Sequence, residues 1–178
     1  MKNLLFISAL LILFPYLSFA QNYPSARYGH TAFVYQGNFY IFGGMTDATS
    51  RISKKDNILG EAAPNNDLWM YTQITPGGGL FQKVEPEGVT KPDKRYNHMA
   101  CVLNTSLYVA GGKGSAGNLA DLYKYDFSSR QWQEVLSDFT WDPVWSGWMY
   151  SVYGAVAAFG GYYNNTNMMN SVINFYKP

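Results

Sequence analysis

His30 and His98 are the only histidines in a chain of 178 residues, and Cys101 is its only cysteine. A zinc site built from several cysteines and an intrachain disulfide are both excluded by that count. Cys101 lies in the apolar run Met99 to Leu103 and reads as a buried side chain rather than a redox centre. Acid–base or nucleophilic chemistry would need paired carboxylates, or a histidine beside a nucleophile. The acids Asp67 and Asp121 each precede an apolar run, where an aspartate forms a turn by bonding neighbouring amides. No G-x-S-x-G, H-E-x-x-H, phosphate-loop or dinucleotide pattern occurs, and Gly77-Gly78-Gly79 leads into a strand as a hairpin turn does. What remains is the chemistry of recognition. Arg51, Lys54 and Lys55 stand with Asp56 and Glu61 in a long polar stretch, and Trp141, Trp145 and Trp148 gather with Phe139 around Asp142-Pro143. Exposed, these tryptophans would offer flat contact area to sugar rings or peptide side chains; turned inward, they would bury against a neighbouring layer of the fold.

The elements that position these residues form a repeat. Gly43-Gly44, Gly111-Gly112 and Gly160-Gly161 each close an apolar run, FYIFGG, LYVAGG and AAFGG. Sixteen residues before the first two doublets begin Arg27-Tyr28-Gly29-His30 and Arg95-Tyr96-Asn97-His98. A second apolar strand follows each doublet, opening at Asn66-Asp67, Ala120-Asp121 and Asn170-Ser171, and an outer strand follows twice, as Phe81-Gln82-Lys83-Val84 and Trp132-Gln133-Glu134-Val135. The two histidines and the two aspartates are thus repeat-equivalent, which accounts for them without a metal or a catalytic pair. The third unit departs from the pattern, with Val144 and Gly147 where arginine and histidine would stand and Ala157 in place of the tyrosine before the doublet. Short β-branched and aromatic runs between Gly, Asn, Pro and Ser clusters predict an all-β chain, and paired glycines at a strand end predict positive φ or close backbone approach.

The ordered pattern R-x-x-H, strand, [FL]-Y-[IV]-x-G-G, loop, [ND]-[DL]-[LVI]-x-x-[YF], turn and aromatic strand resembles kelch repeats. That resemblance implies an all-β, kelch-type β-propeller, incomplete, with about three four-stranded blades, the third lacking its outer strand. Repeat one covers 27–84, repeat two 95–135 and the degenerate repeat three 144–178, within a mature segment 21–178. Propellers hold about four to eight blades of roughly 50 residues. The expectation is therefore a portion of a longer propeller, or a chain that closes its ring by self-association. Galactose oxidase shares the kelch-type propeller, and its copper site uses histidines, tyrosines and a cysteine thioether. Cys101 lies inside a strand and matches no part of such a site, so the expectation is no enzyme, no metal and no cofactor. The implied function is non-catalytic recognition of a protein or glycan partner through the face bearing the long Met45 to Asn66 insertion. The alternative is part of a galactose-oxidase-like or carbohydrate-active domain whose catalytic residues lie outside this chain.

Residues 1–20 read as a secretory signal peptide: Lys2, an apolar run from Leu4 to Phe14, Pro15, then small residues at Ser18 and Ala20, with the mature chain starting at Gln21. The apolar run is too short for a membrane span, so a secreted, extracellular or periplasmic protein is expected. Of 13 basic and 12 acidic residues, losing Lys2 leaves 12 of each. A net charge of zero gives no bulk attraction to nucleic acid or to an anionic membrane. Aromatic residues at 17% against 14% charged exclude disorder. Asn104 and Asn164 head N-x-[ST] acceptors for N-glycosylation in exposed turns.

Overall fold

A computed structural model describes residues 23–46, 62–135, 144–163, 168–169 and 173–178. The readings placed on the leader, Arg51, Lys54, Lys55, Asp56, Glu61, Phe139, Trp141 and Asn164 lie outside those residues. The described residues are all β and contain no helix. After the two-residue strand β1 (Arg27–Tyr28), blade one runs β2 (Thr31–Tyr35), β3 (Asn38–Thr46), β4 (Ala63–Thr75) and β5 (Gly78–Val84), each antiparallel to the next. Blade two repeats this with β6 (Met99–Leu103), β7 (Ser106–Ala110), then, after the small hairpin β8 (Lys113–Gly114) and β9 (Gly117–Asn118), β10 (Leu122–Asp126) and β11 (Gln131–Glu134). Following β12 (Val144–Trp145), blade three is β13 (Trp148–Val152), β14 (Ala155–Phe159) and β17 (Ile173–Tyr176), while β15 (Tyr162–Tyr163) and β16 (Met168–Met169) extend a ribbon with β12.

Period-2 alternation sends one set of side chains from each strand to each neighbouring blade. Tyr40, Phe42 and Leu68 of blade one meet Leu107, Val109, Tyr125 and Trp132 of blade two in one core cluster. Met99, Tyr108, Ala110 and Leu122 on the opposite face of blade two meet Val144, Met149, Val156 and Ala158 of blade three in the other. Cys101 packs partly buried against this second cluster, and burial pushes its thiol up to about 12.

The glycine doublets behave as their position demands. Gly43 and Gly44 have φ of 63° and 96°, Gly111 and Gly112 58° and 93°, Gly160 and Gly161 76° and 94°. Asn104, expected in an exposed turn, is exposed in the β6–β7 hairpin. The insertion of blade one is not loop throughout. Past a bulge between Phe42 and Gly44 its flanks continue the ladder, Met45 opposite Pro64 and Thr46 opposite Ala63. Tyr28 and Arg27 pair with Met45 and Thr46 from the other side. A ribbon therefore rises beyond the doublet in blade one, as β8–β9 does in blade two and β12–β15–β16 in blade three. Sequence missed this because strand continuation needs only backbone pairing, which Pro64 and Asn65 do not advertise.

Candidate interaction face

The residues at the base of the ribbon side are held by a repeated ion pair. Arg95 is fully buried, and its Nη1 and Nη2 donate to Asp121 Oδ1 at 2.6 Å and Oδ2 at 2.7 Å. Nη1 also donates to the Gly111 carbonyl at 3.1 Å and Nε to the Asp93 carbonyl at 3.0 Å. Blade one repeats the arrangement, with Arg27 Nη1 on Asp67 Oδ1 at 2.6 Å and the Gly43 carbonyl at 2.9 Å, and Nη2 on Asp67 Oδ2 at 3.2 Å. One guanidinium thus ties the segment entering the blade, the doublet and the third strand. Burial raises the Asp67 carboxyl, but hydrogen bonds from Arg27 and from Trp69 Nε1 at 2.8 Å, with the Arg27 charge, more than offset it and hold it below its ordinary value. The aspartates are ion-pair partners rather than the amide-bonding turn-formers their position in sequence predicts. A signal for this was present: unit three loses both members together, with Val144 and Ser171 in their places.

His98 fastens blade two to blade one. Its Nε2 lies 2.9 Å from Thr31 Oγ1, its ring meets Phe42 edge-on at 5.3 Å, and a Cβ on Gly43 would stand only 2.9 Å from its Cε1. Nδ1 is buried without a hydrogen-bond partner among the described residues. Burial, then the positive charge of Arg95, push the imidazole down to about 3, so it is neutral in the folded chain. The unfolded chain takes up a proton near 6.5. Stability from this group is therefore complete above pH 6.5 and drains away as pH falls toward 3, by up to about 1.4 kcal/mol per pH unit. Urea titrations at pH 7.5 and pH 5 are expected to differ by about 2 kcal/mol from this source. His98→Gln should remove that difference, and an equal loss in the variant would assign it elsewhere.

A belt of backbone bonds crosses the seams beside these residues. Asn97 N–H donates to the Gly29 carbonyl and Ser146 N–H to the Asn97 carbonyl, both at 2.7 Å. All three residues have left-handed φ, 63° at Gly29, 51° at Asn97 and 64° at Ser146. The second glycine of each of the first two doublets adds a bond to the next blade, Gly44 N–H to Arg95 O and Gly112 N–H to Val144 O, each 2.9 Å. One residue before each belt position stands an aromatic side chain, Tyr28, Tyr96 or Trp145. Tyr28 meets Tyr96 edge-on at 6.1 Å, Tyr96 exchanges backbone hydrogen bonds with Lys113, and the Lys113 ammonium sits 3.8 Å from the centre of the Trp145 ring, which stacks on Tyr162 at 5.0 Å. A cation over an indole is attracted by the ring quadrupole and fixes both partners. Behind this arc, between the ribbons of blades one and two, opens a cleft of about 330 Å³ lined by Asn66, Asp93, Lys94, Ser115 and Leu119.

The structure separates the tryptophans that sequence grouped. Trp145 belongs to the arc, whereas Trp148 begins β13 and lies exposed on the sheet face of blade three that points away from blade two. Tyr28, Tyr96 and Lys113 were not singled out by sequence, although the aromatic fifteen residues before every doublet is legible once the three units are aligned.

The domain described as the KLHDC2/KLHL20/DRC7 Kelch-repeats domain matches residues 15–176. Kelch domain-containing protein 3 of Rattus norvegicus is 30% identical over 89 residues, covering 50% of this chain and 19% of the relative. The Bos taurus protein of that name is 23% identical over 155 residues, 82% of this chain and 36% of the relative. The Leucine-zipper-like transcriptional regulator 1 homolog of Drosophila melanogaster is 29% identical over 107 residues, 60% of this chain and 9% of the relative. The chain thus spans between 9% and 36% of the length of these curated relatives. With the ordered repeat, the blades it builds and a match over most of its length, the chain belongs to the kelch-repeat family.

Proposed function

We propose that this kelch-repeat chain is a non-catalytic recognition module that binds a protein partner through its ribbon face. The observation that carries this is the arc Tyr28, Tyr96 and Trp145 with Lys113, where three repeat-equivalent aromatics line up across the seams beside a cleft of mixed polar and apolar lining. Aromatic side chains lose little rotamer freedom on binding and supply large contact area, the properties of interface anchors. The two motif arginines are committed to Asp67 and Asp121, so charge for a partner comes from Lys113 and Lys94 at the rim. The test is affinity capture from the exported fraction of the source, with capture compared across variants. A protein is expected that is retained by the wild type and by Gln82→Ala on the outer rim, and lost with Tyr28→Ala and with Lys113→Glu. Retention by both arc variants would sink the proposal, and so would loss of the captured material on glycosidase treatment, which would make the partner a glycan.

Export is part of the proposal and rests on the order of Lys2, the Leu4 to Phe14 run and Ala20. N-terminal mass spectrometry should find Gln21 first, and finding the apolar run retained would count against it. The oxidase-like alternative places its catalytic residues outside this chain, and stoichiometric copper in the purified full protein would favour it.

A further inference from the structure

The seam between blades one and two opens at its hairpin end, opposite the ribbons, into a cavity of about 260 Å³. Its walls follow from register. Tyr40, Met70 and Gln82 stand opposite one another across β3, β4 and β5, and so share the face of blade one that meets blade two. Blade two contributes Tyr125 of β10, with Phe127 and Arg130 of the turn between β10 and β11. Ring packing holds the aromatic wall in place. Tyr40 stacks on Phe33 with ring centres 5.3 Å apart, and the Phe127 ring centre lies 4.0 Å from that of Tyr35 and 5.3 Å from those of Tyr40 and Tyr125. Arg130 is anchored at the outer mouth, its Nη2 donating to the Glu85 carbonyl at 2.6 Å.

One group in this wall has no role in the fold. Tyr40 is only 7% exposed, yet its hydroxyl makes no hydrogen bond to a described residue and is not sealed from water, so it opens into the cavity. Buried polar groups ordinarily have a partner. Tyr125, 1% exposed, brings a second phenol beside the Arg130 guanidinium. Burial raises both phenols above their ordinary value, so each keeps a proton to donate. The cations of the lining are paired, Lys83 with Glu85 at 2.8 Å and Arg130 with Glu87 at 3.7 Å, so the cavity favours no anion. A purely apolar ligand would strand the Tyr40 hydroxyl and the Gln82 amide without water. Sites for drug-sized ligands run to about 300–1,000 Å³, so a cavity of about 260 Å³ holds a single ring with its substituents. We propose that this cavity binds one neutral pyranose ring, its C–H groups against the aromatic wall and its hydroxyls on Tyr40, Gln82 and Arg130. The site lies at the other end of the blades from the aromatic arc, and it stands or falls separately from the protein contact proposed there.

Saturation-transfer NMR on the purified chain tests this, with glucose, galactose and mannose at millimolar concentration as probes, each as the free sugar and as its methyl glycoside. At least one probe is expected to receive saturation at its ring C–H protons. Tyr40→Phe keeps the ring stacked on Phe33 and removes only the hydroxyl, and it should weaken that probe about tenfold, the effect of losing one hydrogen bond at a buried group. Gln82→Ala should weaken it by a similar factor. Tyr28→Ala and Lys113→Glu, on the ribbon face, should leave it unchanged. Binding of the glycoside along with the free sugar identifies the natural ligand as a residue of a glycan, and binding of the free sugar alone identifies it as a soluble sugar. Absence of saturation in every probe would overturn the proposal. So would binding that Tyr40→Phe and Gln82→Ala leave intact, or that the ribbon-face variants abolish.

Discussion

Asp121→Ala is expected to lower the unfolding free energy by about 3–5 kcal/mol, the usual result of removing one partner from a buried ion pair. The cause is the charge left behind. Arg95 is fully enclosed, and with the carboxylate gone its guanidinium keeps the carbonyls of Gly111 and Asp93, at 3.1 Å and 3.0 Å, and the face of the Tyr123 ring, whose centre is 5.6 Å away. Carbonyls satisfy donors but do not neutralise a cation, and Arg95 cannot lose its proton as a buried lysine would. Replacing both members by apolar residues, Arg95→Met with Asp121→Leu, should recover most of the loss, because the desolvation of both charges disappears with their attraction. Unit three already runs this experiment, with Val144 buried in the arginine position and no acid at Ser171. Urea titration of wild type, single and double variants decides it. A single variant within about 1 kcal/mol of wild type, or a double variant as unstable as the single, would show that the pair is not what joins the entering segment to the third strand.

The blade architecture was legible in sequence because it is written redundantly: doublets, alternating apolar strands and the R-x-x-H opening all report the same register, and each closes a physical requirement of a packed, twisted sheet. The seams were legible for the same reason, since Leu107 and Val109 on one side and Tyr108 and Ala110 on the other follow directly from period-2 alternation. The interaction face was read less well. Its parts are assembled by backbone pairings across blades, Tyr96 with Lys113 and Val144 with Gly112, whose partners are far apart in the repeat and depend on no particular side chain. Trp145 and Trp148 show the same limit from the other side. Three residues apart in sequence, they diverge because Gly147 ends the ribbon segment and β13 starts the blade sheet, so proximity along the chain said nothing about a shared surface.

Gly112→Val is expected to cost about 3–4 kcal/mol, whereas Gly37→Val should cost only about 1–2 kcal/mol. Both glycines have positive φ, 93° at Gly112 and 77° at Gly37, so a β-branched side chain is strained at either. They differ in what a Cβ would touch. At Gly37, in the β2–β3 hairpin, no atom of the described residues lies within 4 Å. At Gly112 a Cβ would stand 2.8 Å from the Tyr96 carbonyl oxygen, 2.8 Å from the His98 Cβ and 2.9 Å from the His98 Cα. Two of those neighbours are backbone, and they belong to the segment that carries Arg95, the belt residue Asn97 and the Tyr96 of the aromatic arc, so that segment cannot retreat without loosening all three. The difference between the two variants therefore isolates packing across the blade entrance from the intrinsic cost of the dihedral, which both share. Chemical denaturation of the two proteins side by side measures it. Equal losses would mean that the doublet is kept for its φ alone and that the close approach of the entering segment contributes nothing to holding the blade together.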